Sequence, residues 1–220
     1  EDRYLKEKVE KFNEYAKWCV DMGHKSVQSY RLDHALGVFI KWTKANDLLL
    51  DIQYPDVKFQ EKDHRGAHVN EGLAPRRGSR KSGMIGAGNR LGTGNKPLIS
   101  FDLKEANYSV LRLGAKQKGV KIPQDWAGFC DEVLRLHPFL ATSKIFRQYC
   151  FGNYAPKTVA KVQGSLVQTL VDKFGLYDKA VAVSSDEIVM PYEKEASDQL
   201  HNDIYYFLQD SEFSGAMSVK

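Results

Sequence analysis

Two short runs of strand-forming residues in this chain end on acids. Leu98-Ile-Ser-Phe leads into Asp102, and Asp186-Glu187 lie between Val181-Ala-Val and Ile188-Val-Met, so each reads as a strand edge bearing carboxylate. Two carboxylates a few ångströms apart repel each other unless a cation sits between them, and hard oxygen ligands of this kind suit Mg²⁺ or Mn²⁺. Ions held this way activate an attacking oxygen and stabilise the leaving one in phosphoryl transfer. Asp102 and Asp186 are therefore the candidate metal ligands. The ordinary alternative makes Asp102 a helix cap and Asp186-Glu187 a polar hairpin turn. Either motif alone favours that alternative, and the two in this order favour the metal.

Positive charge is concentrated just before the first acidic strand. From Lys58 to Pro97 nine lysines and arginines face Glu61, Asp63 and Glu71, a net +6 against +4 for the whole chain of 220 residues. Eight glycines fall in the same stretch, with no helical or strand period. The composition predicts a long loop, and a basic glycine-rich loop can follow a polyanion's backbone by neutralising phosphates without reading sequence. Arg76, Arg77, Arg80, Lys81 and Arg90 are its candidate nucleic-acid contacts. The alternative is a solvated linker.

Two lookalikes in this loop are set aside. Gly86-Ala-Gly-Asn-Arg-Leu-Gly92 has one residue too many for a dinucleotide fingerprint and follows no strand. His64 and His68 are four apart, but Arg65 stands where a glutamate would be, and no cysteine is near; tetrahedral zinc needs more ligands than this.

The remaining pattern supplies the elements that must hold these residues. Leu5, Val9, Phe12, Ala16 and Val20 recur at helical spacing up to Gly23; Val27, Tyr30, Leu36, Phe39, Ile40 and Trp42 resume it after Ser26, read as an N-cap, so a helical hairpin is expected. Trp18 and Trp42 read as packing residues. After the Asp102 strand come a helix through Val110–Leu113, a helical stretch from Pro123 to Leu136 broken at Pro138, and a helix over Ser143–Gly152. A long amphipathic helix runs from Pro156 to Gly175, and a closing one from Glu193 to Leu208 follows the acidic hairpin. Arg147 and Phe151, four apart, share one helix face. Strand, helices, hairpin and helix together predict an α+β fold, an antiparallel sheet covered by helices on one face.

Composition narrows the setting. No apolar run approaches the roughly 18 residues that span a bilayer, the charged start is not a secretory signal, and no membrane role is expected. Cys19, Cys130 and Cys150 form no metal-spaced pair and cannot all be bridged within the chain, which fits a reducing intracellular setting.

The order of motifs resembles the palm-fold template-dependent polymerases. Phe101-Asp-Leu-Lys-Glu-Ala-Asn-Tyr108 looks like their first palm motif, an aspartate closing a strand with a sugar-sensing residue five positions on. Ser185-Asp-Glu-Ile-Val189 is similar to the acidic hairpin of A-type DNA polymerases and to the Ser-Asp-Asp form of some viral RNA polymerases. Arg147-Gln-Tyr-Cys-Phe-Gly152 is similar to the A-type fingers helix. The resemblance spans about Leu98 to Leu208. It implies a nucleotidyltransferase using primer/template nucleic acid and nucleoside triphosphates, with Asp102 and Asp186 on the metals and Glu187 an auxiliary acid. It further implies that Arg147 and Lys144 hold phosphate, that Phe151 stacks on the nucleotide, and that Asn107 senses the sugar 2′ group.

The chain also departs from these families. Arg147 and Asp186 are closer in sequence than in A-type enzymes and nearer the spacing of reverse transcriptases and viral RNA polymerases. Gln163-Gly-Ser165 matches the middle motif of reverse transcriptases but lies inside the amphipathic helix. Asn107 replaces a bulky or acidic residue, and its amide can bond a ribose hydroxyl, so both sugars remain open. Nothing after Tyr205 has the size of a thumb subdomain. The expected organisation is a helical region over 1–57, the basic loop over 58–97 and a palm-like core over 98–220. A metal-dependent nuclease and a non-catalytic nucleic-acid-binding protein are the alternative readings.

Overall fold

The computed structural model describes residues 2–23, 32–62 and 97–216. They fall into two compact units, one within 1–53 and 105–160, the other within 54–104 and 161–220. This differs from the three consecutive regions expected, because the N-terminal helices belong with the helices that follow Asp102 rather than standing alone. Arg76, Arg77, Arg80, Lys81 and Arg90, with His64 and His68, lie outside the described residues, as do Ser26, Val27 and Tyr30.

The first unit is helical. It comprises α1 (Asp2–Asp21), α2 (Leu32–Ala45), α3 (Ala106–Gln117), α4 (Trp126–Gly128), α5 (Pro138–Ala141), α6 (Lys144–Asn153) and the opening of α7 (Pro156–Phe174). Its aromatic residues choose the pairings: Tyr15 of α1 stacks on Phe139 of α5 at 4.8 Å, and Phe39 of α2 meets Phe151 of α6 edge to face at 5.2 Å. Trp126 sits among them, with Phe39, Phe129, Phe146, Phe151 and Tyr108 within about 6 Å of its ring. Gly114 lets α3 approach the turn after α2, since a Cβ there would fall 1.9 Å from the Leu48 carbonyl oxygen.

The stretch from Pro123 to Leu136 is not one helix. Asp125 accepts the Gly128 N–H at 2.7 Å, starting α4 only at Trp126, and a π turn over Phe129–Val133 follows at once. Pro138 begins α5 rather than ending a helix, as proline at a first helical turn does.

The second unit holds the sheet. Strands β1 (Leu98–Asp102), β2 (Ala182–Val183) and β3 (Glu187–Pro191) pair antiparallel in the order β1-β3-β2, and α8 (Lys194–Asp210) follows. The fold is α+β, as the pattern predicts. Alternation turns Phe101 and Ile188, both nearly inaccessible, to one face, where the Phe101 ring lies 6.4 Å from that of His201 on α8. Ser100, Asp102 and Glu187 take the other face.

Residues 54–62 run as an extended segment along α7. The Gln60 N–H donates to Gln168 Oε1 at 2.8 Å, the Ser165 hydroxyl donates to the Pro55 carbonyl, and Lys62 exchanges backbone hydrogen bonds with Val183 beside β2. Gly164 accepts the Phe59 ring, which a Cβ would approach to 3.1 Å. Gln163-Gly-Ser165 is thus a packed seam of α7. No helix among the described residues is long and apolar enough to cross a membrane.

Candidate functional site

The acidic edge of the sheet is set by register. Asp102, last in β1, pairs with Glu187, first in β3. The Leu103 N–H donates to the Asp186 carbonyl at 2.9 Å, which marks Leu103–Asp186 as a hydrogen-bonded position of the ladder. Its neighbour Asp102–Glu187 is then a non-hydrogen-bonded pair, whose Cα atoms stand about 4.5 Å apart with the side chains on one face. Both residues are half-buried. Like charges directly opposite cost about 0.2–1 kcal/mol.

The sequence motif had paired Asp102 with Asp186. Asp186 instead sits in the turn between β2 and β3, where its Oδ1 accepts the Ser184 hydroxyl at 3.0 Å. Glu187 takes the position opposite Asp102, and its Oε1 accepts the Ser100 hydroxyl at 2.5 Å. Ser100 and Ser184 had no signal of their own in the sequence, since their partners are decided by register and by the turn. Among the described residues no group of three or more His, Cys, Asp or Glu is arranged to hold a metal. A pair of carboxylates nonetheless suits Mg²⁺, which is commonly bound through one or two carboxylates with water and substrate phosphates completing its shell.

The cationic candidates line a cavity of about 420 Å³ in the helical unit, together with Glu105, Asp125, Trp126 and Ser143. Ser143 caps α6 by accepting the Phe146 N–H at 3.2 Å, which places Lys144 and Arg147 in the first turns of a helix whose N-terminal end favours anions. Lys144 is exposed. Arg147 Nη1 donates to Glu105 Oε1 at 2.5 Å. Glu105 is anchored once more, since its other carboxylate oxygen accepts the Trp126 N–H at 3.1 Å, while its backbone is left-handed, φ 49°, at the start of α3. A left-handed non-glycine residue costs about 1–2 kcal/mol, so the surrounding contacts over-determine this conformation.

Phe151 does not border the cavity. It is 2% exposed and packs on Phe39 and Trp126, so its ring belongs to the core and offers no face to a base. Asn107 lies half-buried in the first turn of α3. Trp126 is held by packing, since its buried Nε1–H has no partner among the described residues. The Ser143-Lys144 cap is legible as an N-terminal signature. The partnership of Glu105 and Arg147, 42 residues apart, has no local trace.

No protein-family model, curated protein or solved structure matches the chain.

Proposed function

We propose that the chain is a metal-dependent nucleotidyltransferase that adds nucleotides to a 3′-hydroxyl on a primer/template, with Mg²⁺ or Mn²⁺. The observation that carries this reading is the Asp102–Glu187 pair, two acids opposed on one face of an antiparallel sheet beside a third, Asp186, in the turn. A divalent ion held there would polarise the α-phosphate and lower the cost of deprotonating the attacking hydroxyl. Asp102 and Glu187 would hold it, with Ser100 fixing the Glu187 carboxylate by its hydrogen bond. Asp186 keeps its place in the turn through Ser184 and serves as the adjacent acid. Separately, in the helical unit, Lys144 and Arg147 offer positive charge to phosphate groups.

The test is extension of a labelled primer on a template by the purified protein, with Mg²⁺ or Mn²⁺ and separate ribo- and deoxyribonucleotide sets. Wild-type protein is expected to extend, and Asp102→Asn and Glu187→Gln to fall by about 10²–10³-fold, the scale of losing a transition-state charge stabiliser. Asp186→Asn distinguishes the turn acid from the register pair. Cleavage without nucleotides identifies the chain as a nuclease. Salt-sensitive binding without reaction, unchanged in Asp186→Asn, makes it a binding protein.

A further inference from the structure

The cavity around Arg147 is close to charge-balanced: Lys144 and Arg147 face Glu105 and Asp125. Asp125 is occupied as the cap of α4. Glu105 is different, because one carboxylate oxygen holds a backbone N–H while the other holds the guanidinium that the cavity would offer to a ligand. Arg147 has five N–H donors, and Glu105 is its ion-pair partner among the described residues.

From this we infer that Glu105 is an exchangeable counter-ion for a polyphosphate: it occupies Arg147 in the free protein, and an incoming chain of phosphates takes the guanidinium over. The inference rests on reading this cavity as the polyphosphate subsite. A bidentate phosphate contact is stronger than a single carboxylate bond, and the N-terminal end of α6, whose Ser143, Lys144 and Arg147 line the cavity, favours negative charge. A lone orthophosphate gains less, because it must still displace Glu105 and reaches fewer donors. The displacement cost is common to every anion that takes Arg147, so Glu105 lowers the affinity of the site for phosphate in general and the extra contacts of an extended chain offset it, a gating role rather than a catalytic one.

The experiment is calorimetric titration of the full chain with inorganic tripolyphosphate and, separately, orthophosphate. Glu105→Gln keeps an oxygen for the Trp126 N–H and removes only the charge. Glu105→Asn, neutral, too short to reach Arg147 and well suited to a left-handed backbone, guards against a folding defect in the first variant. Both are expected to bind tripolyphosphate about tenfold tighter, with orthophosphate gaining no more than that. That gain is below a full buried-charge effect because the Arg147 and Glu105 side chains are 20% and 25% exposed. Arg147→Gln is expected to weaken tripolyphosphate binding. If Arg147→Gln weakens binding but neither Glu105 variant strengthens it, the counter-ion role is wrong while the subsite stands. If Arg147→Gln and Lys144→Gln both bind like wild type, the subsite reading fails and takes the inference with it.

Discussion

Asp102 and Glu187 are register partners across β1 and β3, with their carboxylates on one face of the sheet. Two like charges in such a pair work against the fold, which is acceptable where a cation is to be bound. Glu187→Gln relieves the repulsion and still accepts the Ser100 hydroxyl, so its melting temperature without metal is expected to match or exceed wild type, within about 1 kcal/mol. Millimolar Mg²⁺ should raise the melting temperature of wild type and leave that of Glu187→Gln unmoved. Equal shifts in both proteins would remove the pair from metal binding.

Phe151 is a second point at which sequence and structure assign different work. As a core ring, Phe151→Ala should cost about 3–5 kcal/mol of stability, read as a lowered urea midpoint. Phe151→Leu should retain most of it, and any change in nucleotide KM should be small. A stable Phe151→Ala protein with weakened nucleotide binding would return the residue to a stacking role.

Gly114 tests the packing of α3 against the turn after α2. A methyl group at 1.9 Å from the Leu48 carbonyl oxygen cannot be accommodated without moving backbone, so Gly114→Ala should destabilise by about 1–3 kcal/mol despite alanine's better helix propensity. Chemical denaturation measures it, and an unchanged midpoint would show that the two segments separate easily.

The buried thiols give a pH dependence with a definite sign. Burial pushes Cys150 up to about 12 from an ordinary value of 9.0 and raises Cys130 as well. Below pH 9 the thiols are neutral folded or unfolded, and stability is fully retained. Between about pH 9 and 12 the unfolded chain ionises and the folded one does not, so the unfolded state binds fewer protons and stability falls as pH rises. Urea midpoints at pH 7.5, 9 and 10.5 should decline, and less steeply in Cys150→Ala. At pH 8 neither thiol should react with a thiol reagent until the protein unfolds.

Much of the fold was legible because its signals are local. The strand before Asp102, the turn at Ser184–Asp186, Pro156 opening α7 and Gly175 closing it each depend on a few adjacent residues, and each stands where its pattern put it. What escaped was decided at long range. Whether Asp186 or Glu187 faces Asp102 is a matter of one residue in register, and period-2 alternation makes that a change of face. Arg147 and Phe151 do lie along one side of α6, but a buried helical stripe draws the ring inward while the longer, charged side chain reaches out at its margin. Asp125 shortened the helix expected from Pro123, because its side chain caps the Gly128 N–H and starts the helix at Trp126.

The division of the chain into units has a consequence for its making on the ribosome. α1 and α2 emerge before the rest of their unit, and the aromatic partners of Tyr15 and Phe39, Phe139 and Phe151, are synthesised about a hundred residues later, at roughly 5–20 residues per second. In the same way β1 is translated long before β3, the strand that pairs with it. Neither unit is a contiguous span of the sequence, so no nascent intermediate contains the finished helical unit until Ala160 is out. During that interval the apolar faces of the first helices are open to whatever else binds such surfaces, and a chaperone that shields them is expected to raise the yield of folded protein.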